Sequence, residues 1–271
     1  MPYPIEKKLV IAVSTSALFD MEESDSIYRV KGIDAYRKYQ ERMINEPLGK
    51  GVAFPFIKRI LNLNNSFPED KPIEVVIFSK NSPESGLRAF RSIAHYNLDI
   101  SRACFSSGKS NFQYLPAFNA SLFLSANPED TEKAISAGFA AGTVLDTKVI
   151  DDENDTQLRL GFDFDGVIAD DSSEQFYKEN KGNMSVYHHH ELELASNPLS
   201  EGPIGTLLQK ISFFQRLENA QVDKNPNYKK ILSTAIILKS ATTRLYDTEA
   251  KIICIVSKKG AQCIECHHKD I

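Results

Sequence analysis

The chain has 271 residues, 42% of them apolar and 25% charged, with a formal net charge of −4. That is enough apolar chain to build a core in one large or two ordinary domains, with the composition of an ordinary soluble globular protein. No basic field for nucleic acid, no run near the roughly 18 apolar residues of a membrane span, no secretory leader and only four cysteines leave a reduced, cytoplasmic protein as the expectation.

Taken in order, Lys8 to Val13 reads as a strand with a polar exit at Ser14-Thr-Ser16. A helical region follows around Tyr28 to Met43, broken by Pro47 and Gly49-Lys-Gly51. Phe56, Ile57, Ile60 and Leu61 have helical spacing, and Glu74 to Phe78 is a β-branched, buried strand. Glu84 to His95 reads as a helix, Ala103 to Phe105 and Ala120 to Leu124 as strands, and Thr131 to Gly138 as a helix ending on glycine. The polar, acidic stretch 149–157 reads as a linker between a domain at 1–148 and a second unit beginning at 158. There, Leu158 to Asp163 is a strand, Gln175 starts a helix, and Ile204 to Leu217 is another. Lys230 to Leu238 is a strand, with one more near Lys251 to Val256. Strands alternating with helices predict an α/β fold with a mostly parallel sheet covered on both faces.

The most informative stretch is Asp163-Phe-Asp165-Gly166-Val167 at the end of an apolar strand. Residues i and i+2 of a strand point the same way, so both carboxylates are expected to leave it together. Two hard oxygen donors suit Mg²⁺, which binds one or two carboxylates along with substrate phosphate. A carboxylate in that position can also attack phosphorus. An Asp-Gly turn after an ordinary strand is the plainer reading of the same residues.

The two halves can be superimposed. With Leu9 on Leu158, Tyr28 falls on Tyr177, Ser14 on Asp163 and Ser16 on Asp165. Farther on, Pro47-Leu48 meets Pro198-Leu199 and Gly51 meets Gly202. The expected cause is an internal duplication whose first copy has hydroxyls where the second has carboxylates.

The Asp163–Val167 turn resembles the first motif of haloacid dehalogenase-like phosphohydrolases. A narrower resemblance is to the cytosolic 5′-nucleotidase type I family. It is carried by Ala17-Leu-Phe-Asp20, Gly51-Val-Ala-Phe-Pro-Phe56, Asn81-Ser-Pro83, Leu122-Phe-Leu-Ser-Ala-Asn127 and Gly202-Pro203. The resemblance implies two Rossmann-type haloacid dehalogenase-like units, the second incomplete at its C-terminus. It implies Mg²⁺-dependent hydrolysis of nucleoside 5′-monophosphates, with Asp163 as nucleophile, Asp165 as acid and base, and both as metal ligands. Gly166 and Ser240 would face the substrate phosphate. The family's C-terminal motifs are not recognisable, which implies impaired activity; the alternative is an inactive member, a pseudoenzyme or truncated remnant, that still binds nucleotide or Mg²⁺. A homo-oligomer is compatible with the sequence. The catalytic unit is recognisable over 158–241 with a helical insert, whereas 242–271 reads as an atypical, truncated tail without the family's lysine and late acidic pair. Cys263-Ile-Glu-Cys266-His267 is read as incidental, in a disordered tail.

Overall fold

The computed structural model describes residues 4–146, 151–194, 196, 197, 199–237, 251–257 and 260–266, with the backbone alone for Pro83, Glu84, Asp165, Ile237 and the last two stretches. The elements are β1 (Leu9–Val13), α1 (Thr15–Leu18), β2 (Phe19–Asp20), α2 (Glu22–Arg42), β3 (Gly49–Lys50), α3 (Phe54–Asn62), β4 (Ile73–Ser79), α4 (Pro83–His95), β5 (Arg102–Phe105), β6 (Ala120–Ser125), α5 (Pro128–Ser136) and β7 (Ala141–Val144). The second segment adds β8 (Leu158–Asp163), α6 (Ser172–Glu179), α7 (Met184–Glu193), α8 (Gly205–Lys224), β9 (Leu232–Ile237), β10 (Lys251–Ser257) and β11 (Gly260–Cys266).

Nine strands form one sheet in the order β5-β4-β1-β6-β7-β11-β10-β8-β9. It is mostly parallel: β4 and β6 flank β1, β5 and β7 extend it, and β9 runs parallel to β8. The antiparallel exception is the β10–β11 hairpin, which lies between β7 and β8. The stretch 260–266 is thus strand, and the disordered tail expected there is corrected for those residues. The sequence also gave no signal for β7. Ala-Gly-Thr-Val is too short to show alternation, and its glycine weakens strand propensity.

β1 shows why the sheet must be covered twice. Leu9, Ile11 and Val13 enter one hydrophobic cluster while Val10 and Ala12 enter another, as alternation along a strand requires. The first cluster includes side chains of α3, α4 and α8, and the second includes Ala134 of α5. The first also crosses the two segments. Leu9, Ile57 and Phe67 share it with Leu158, Ile211 and Phe214, and the rings of Phe67 and Phe214 meet edge to face at 5.3 Å. No helix among the described residues is long and apolar enough to cross a membrane.

The chain between β7 and β8 is fastened by one buried guanidinium. Arg59 of α3 donates from Nε to the Asp155 carbonyl at 2.9 Å, and from its second terminal nitrogen to Asp151 Oδ1 at 2.6 Å and the Asp152 carbonyl at 3.1 Å. Removing it would leave a half-buried carboxylate and two carbonyls without their donor. Arg59→Ala should cost about 2–4 kcal/mol, read as a lower urea midpoint with unchanged slope.

Candidate active site

β8 delivers Asp163 to the carboxyl end of the sheet, where ligands of open α/β sheets bind. Its side chain is 7% exposed, and Oδ1 accepts the Phe164 amide at 2.9 Å. The chain then makes a single wide turn over Phe164–Ile168. Gly166 lies there at φ 66°, a region where a side chain would be strained, and its amide is 3.3 Å from the Asp170 carbonyl. Asp165 sits within the same turn, two residues after Asp163. Ser240 lies outside the described residues.

The return from the helical insertion closes on this turn. Ala169 bridges Glu201, and the Gly202 amide donates to the Ile168 carbonyl at 2.9 Å. Gly202 is required by proximity: a Cβ there would stand 2.4 Å from the Val167 carbonyl oxygen and 2.7 Å from that of Ala169. Asp170 braces both sides, accepting from Ser172 and from the Ser200 amide. The Ser172 hydroxyl, first, holds its carboxyl below the usual range.

The first segment goes through the same steps. Ser14 ends β1 with φ −70° and ψ 151°, against −68° and 150° at Asp163, and each caps the turn that follows. Phe19 pairs with Lys50 as Ala169 pairs with Glu201. The Gly51 amide reaches the Leu18 carbonyl at 2.9 Å, and a Cβ on Gly51 would stand 2.6 Å from the Ala17 oxygen. Each helical insertion breaks at a glycine of positive φ, Gly32 at 77° and Gly182 at 72°. A tyrosine pair packs edge to face across each break, Tyr28 with Tyr36 and Tyr177 with Tyr187. α3 and β4 then follow in one segment, α8 and β9 in the other. The chemistry at the strand end differs. Ser14 Oγ and Ser16 Oγ lie 3.2 Å apart where the second segment has Asp163 and Asp165.

A cavity of about 1040 Å³ lies over the first segment. Ser16 and Asn127 are on its wall, with Asp20, Asp25, Lys50 and Phe54, while Asp163 is not. Lys50 and Lys58 both pair with Glu153 at its rim. Burial, first, pushes the Asp25 carboxyl up, against the lowering effect of Arg29. The sequence pointed at the carboxylates of the second segment and passed over this space. Its walls come from residues 16–29, 50–58 and 126–130, with Asp146 and the pair Asp151 and Glu153, which only the fold brings together.

Among the described residues, no group of three or more His, Cys, Asp or Glu is arranged to hold a metal ion. The three histidines 188–190 do not converge. His190 stacks on Phe176 at 3.6 Å between centroids, and His189 pairs with Glu193.

No solved structure matches the chain. It is similar to human cytosolic 5′-nucleotidase 1B, with 32% identity over 222 residues, 79% of this chain and 36% of that protein. The chain thus corresponds to about a third of the length of that relative. The profile of the 5′-nucleotidase family matches residues 1–257, nearly the whole sequence and both segments, and the chain belongs to that family.

Proposed function

We propose that this chain hydrolyses nucleoside 5′-monophosphates to nucleoside and phosphate, with Asp163 as the nucleophile. The observation that supports it is a buried carboxylate at the carboxyl end of β8, in a chain of the 5′-nucleotidase family. A carboxylate oxygen of Asp163 attacks phosphorus in line, the bond from phosphorus to the ribose 5′-oxygen breaks, and Asp165 gives that oxygen its proton. Water then attacks the aspartyl-phosphate, Asp165 takes the proton back, and inorganic phosphate leaves. The donor set suits a hard cation: Asp163 and Asp165 are the residues that would hold Mg²⁺, which when bound neutralises phosphoryl charge. Gly166 and Ser240 are the residues proposed to face the phosphate. In this reading, residues 1–148 are a non-catalytic copy and 158–241 the working unit, joined by 149–157.

The second reading, nucleotide binding without hydrolysis, is favoured by the large cavity over the segment that lacks the carboxylate pair. Phosphate release from AMP, IMP and deoxynucleotides, with Mg²⁺ and then with EDTA, separates the two. The hydrolytic reading expects release that EDTA abolishes. A nucleotide-induced rise in melting temperature without any release would put the second reading in its place.

A further inference from the structure

The insertion between β8 and α8 leaves and re-enters the sheet at one point, and a single side chain spans both crossings. Asp170 Oδ1 accepts the Ser172 amide at 3.1 Å and the Ser172 hydroxyl at 2.6 Å, where α6 begins. Oδ2 accepts the Ser200 amide at 3.0 Å on the return path. The Asp170 backbone completes the joint. Its amide donates to the Ser200 carbonyl at 3.0 Å, and its carbonyl lies 3.3 Å from the Gly166 amide inside the turn that carries Asp163 and Asp165. Three stretches of chain therefore meet at one residue.

The silent segment shows what an ordinary cap at this place looks like. Asp20 Oδ1 accepts the Glu22 amide at 2.9 Å, the counterpart of the Ser172 bond. Among the described residues, no bond from the Asp20 carboxylate to the returning strand at Gly49–Lys50 accompanies it. The brace across the insertion is thus a property of the segment with the carboxylates.

We propose that Asp170 is a positioning residue: its carboxylate locks the base of the helical insertion to the turn that presents Asp163, and so fixes where the nucleophile stands. The catalytic part of this inference rests on the hydrolytic reading above; the lock itself does not. A strand-end nucleophile must be held to within a fraction of an ångström for in-line attack, and a displacement near 1 Å costs as much as a hundredfold. α7 contributes no buried residue and α6 only Ser173, so packing of the insertion does little of this work.

Hydrogen exchange on the full chain separates a lock from a cap. Asp170→Asn keeps one acceptor oxygen for Ser172 and turns its amide nitrogen toward the Ser200 N–H, while Asp170→Ala removes both acceptors. Peptides covering 164–168 and 199–203 should exchange about tenfold faster in both variants. The first turn of α6 should stay protected in Asp170→Asn and open only in Asp170→Ala. With AMP and Mg²⁺, Asp170→Asn should lower kcat about tenfold with KM held within twofold. Unchanged exchange at 164–168 in Asp170→Asn would overturn the lock. Faster exchange there with kcat unchanged would overturn the positioning role. If the unaltered chain releases no phosphate, the hydrolytic reading fails and takes the catalytic part with it, while the exchange comparison still decides the lock.

Discussion

Asp163→Asn should abolish Mg²⁺-dependent phosphate release from AMP, by at least about a thousandfold, without unfolding the protein. The asparagine oxygen can still accept the Phe164 amide, which Asp163 Oδ1 accepts at 2.9 Å, so the turn after β8 keeps its cap. Side-chain volume at this 7% exposed site hardly changes. The charge is lost, and with it, in the proposed reaction, the attacking oxygen and an anionic ligand for a cation. The control is Ser14→Ala at the matching strand end. It loses the bond from the Ala17 amide and about 1 kcal/mol of stability, and turnover should stay within twofold. Undiminished release by Asp163→Asn, measured beside an unchanged melting curve, would remove this carboxylate from the mechanism.

A large effect on stability is expected at the two glycines that close each insertion onto its strand-end turn. A Cβ on Gly202 would stand 2.4 Å from one backbone oxygen and 2.7 Å from another, and on Gly51 it would stand 2.6 Å from one oxygen. Backbone cannot move aside as a flexible side chain can, so the bridged segments must separate. Gly51→Ala and Gly202→Ala should each cost about 3 kcal/mol, a fall in melting temperature of roughly 6–12 °C. Gly32→Ala is the comparison. Its Cβ meets nothing within 4 Å, and the penalty comes only from φ 77°, about 1 kcal/mol. Equal losses at all three positions would mean that close approach is not what these glycines serve.

The parallel sheet was legible because its strands are apolar on both faces: Leu9 to Val13 and Ile73 to Phe78 read as near-continuous hydrophobic runs. The turn after Asp163 was legible as a turn because an apolar run there stops at Asp-x-Asp-Gly. Spacing also aligned Tyr28 with Tyr177 and Gly51 with Gly202, although not the reason for the glycines, which is a contact between segments more than thirty residues apart in each half. The cavity was not legible because its wall is assembled from five separate stretches of chain. Asp170 was hidden for a related reason. The partner that sets it apart, the Ser200 amide, is thirty residues away and carries no side-chain signature.

The hydrophobic cluster shared by the two segments has a consequence for how the protein tolerates change. Phe67, from the segment without the carboxylates, rests on Phe214 of α8, and Ile11 lies in the same cluster as Leu160. A segment without the carboxylate pair would ordinarily be free to accumulate replacements. Here its interior is also the wall of its neighbour, so a cavity opened under β1 is transmitted to the helix that leads into β9. The first segment is therefore held to nearly the same packing standard as the segment that carries Asp163. A screen of random substitutions should find its buried positions as intolerant as those around β8.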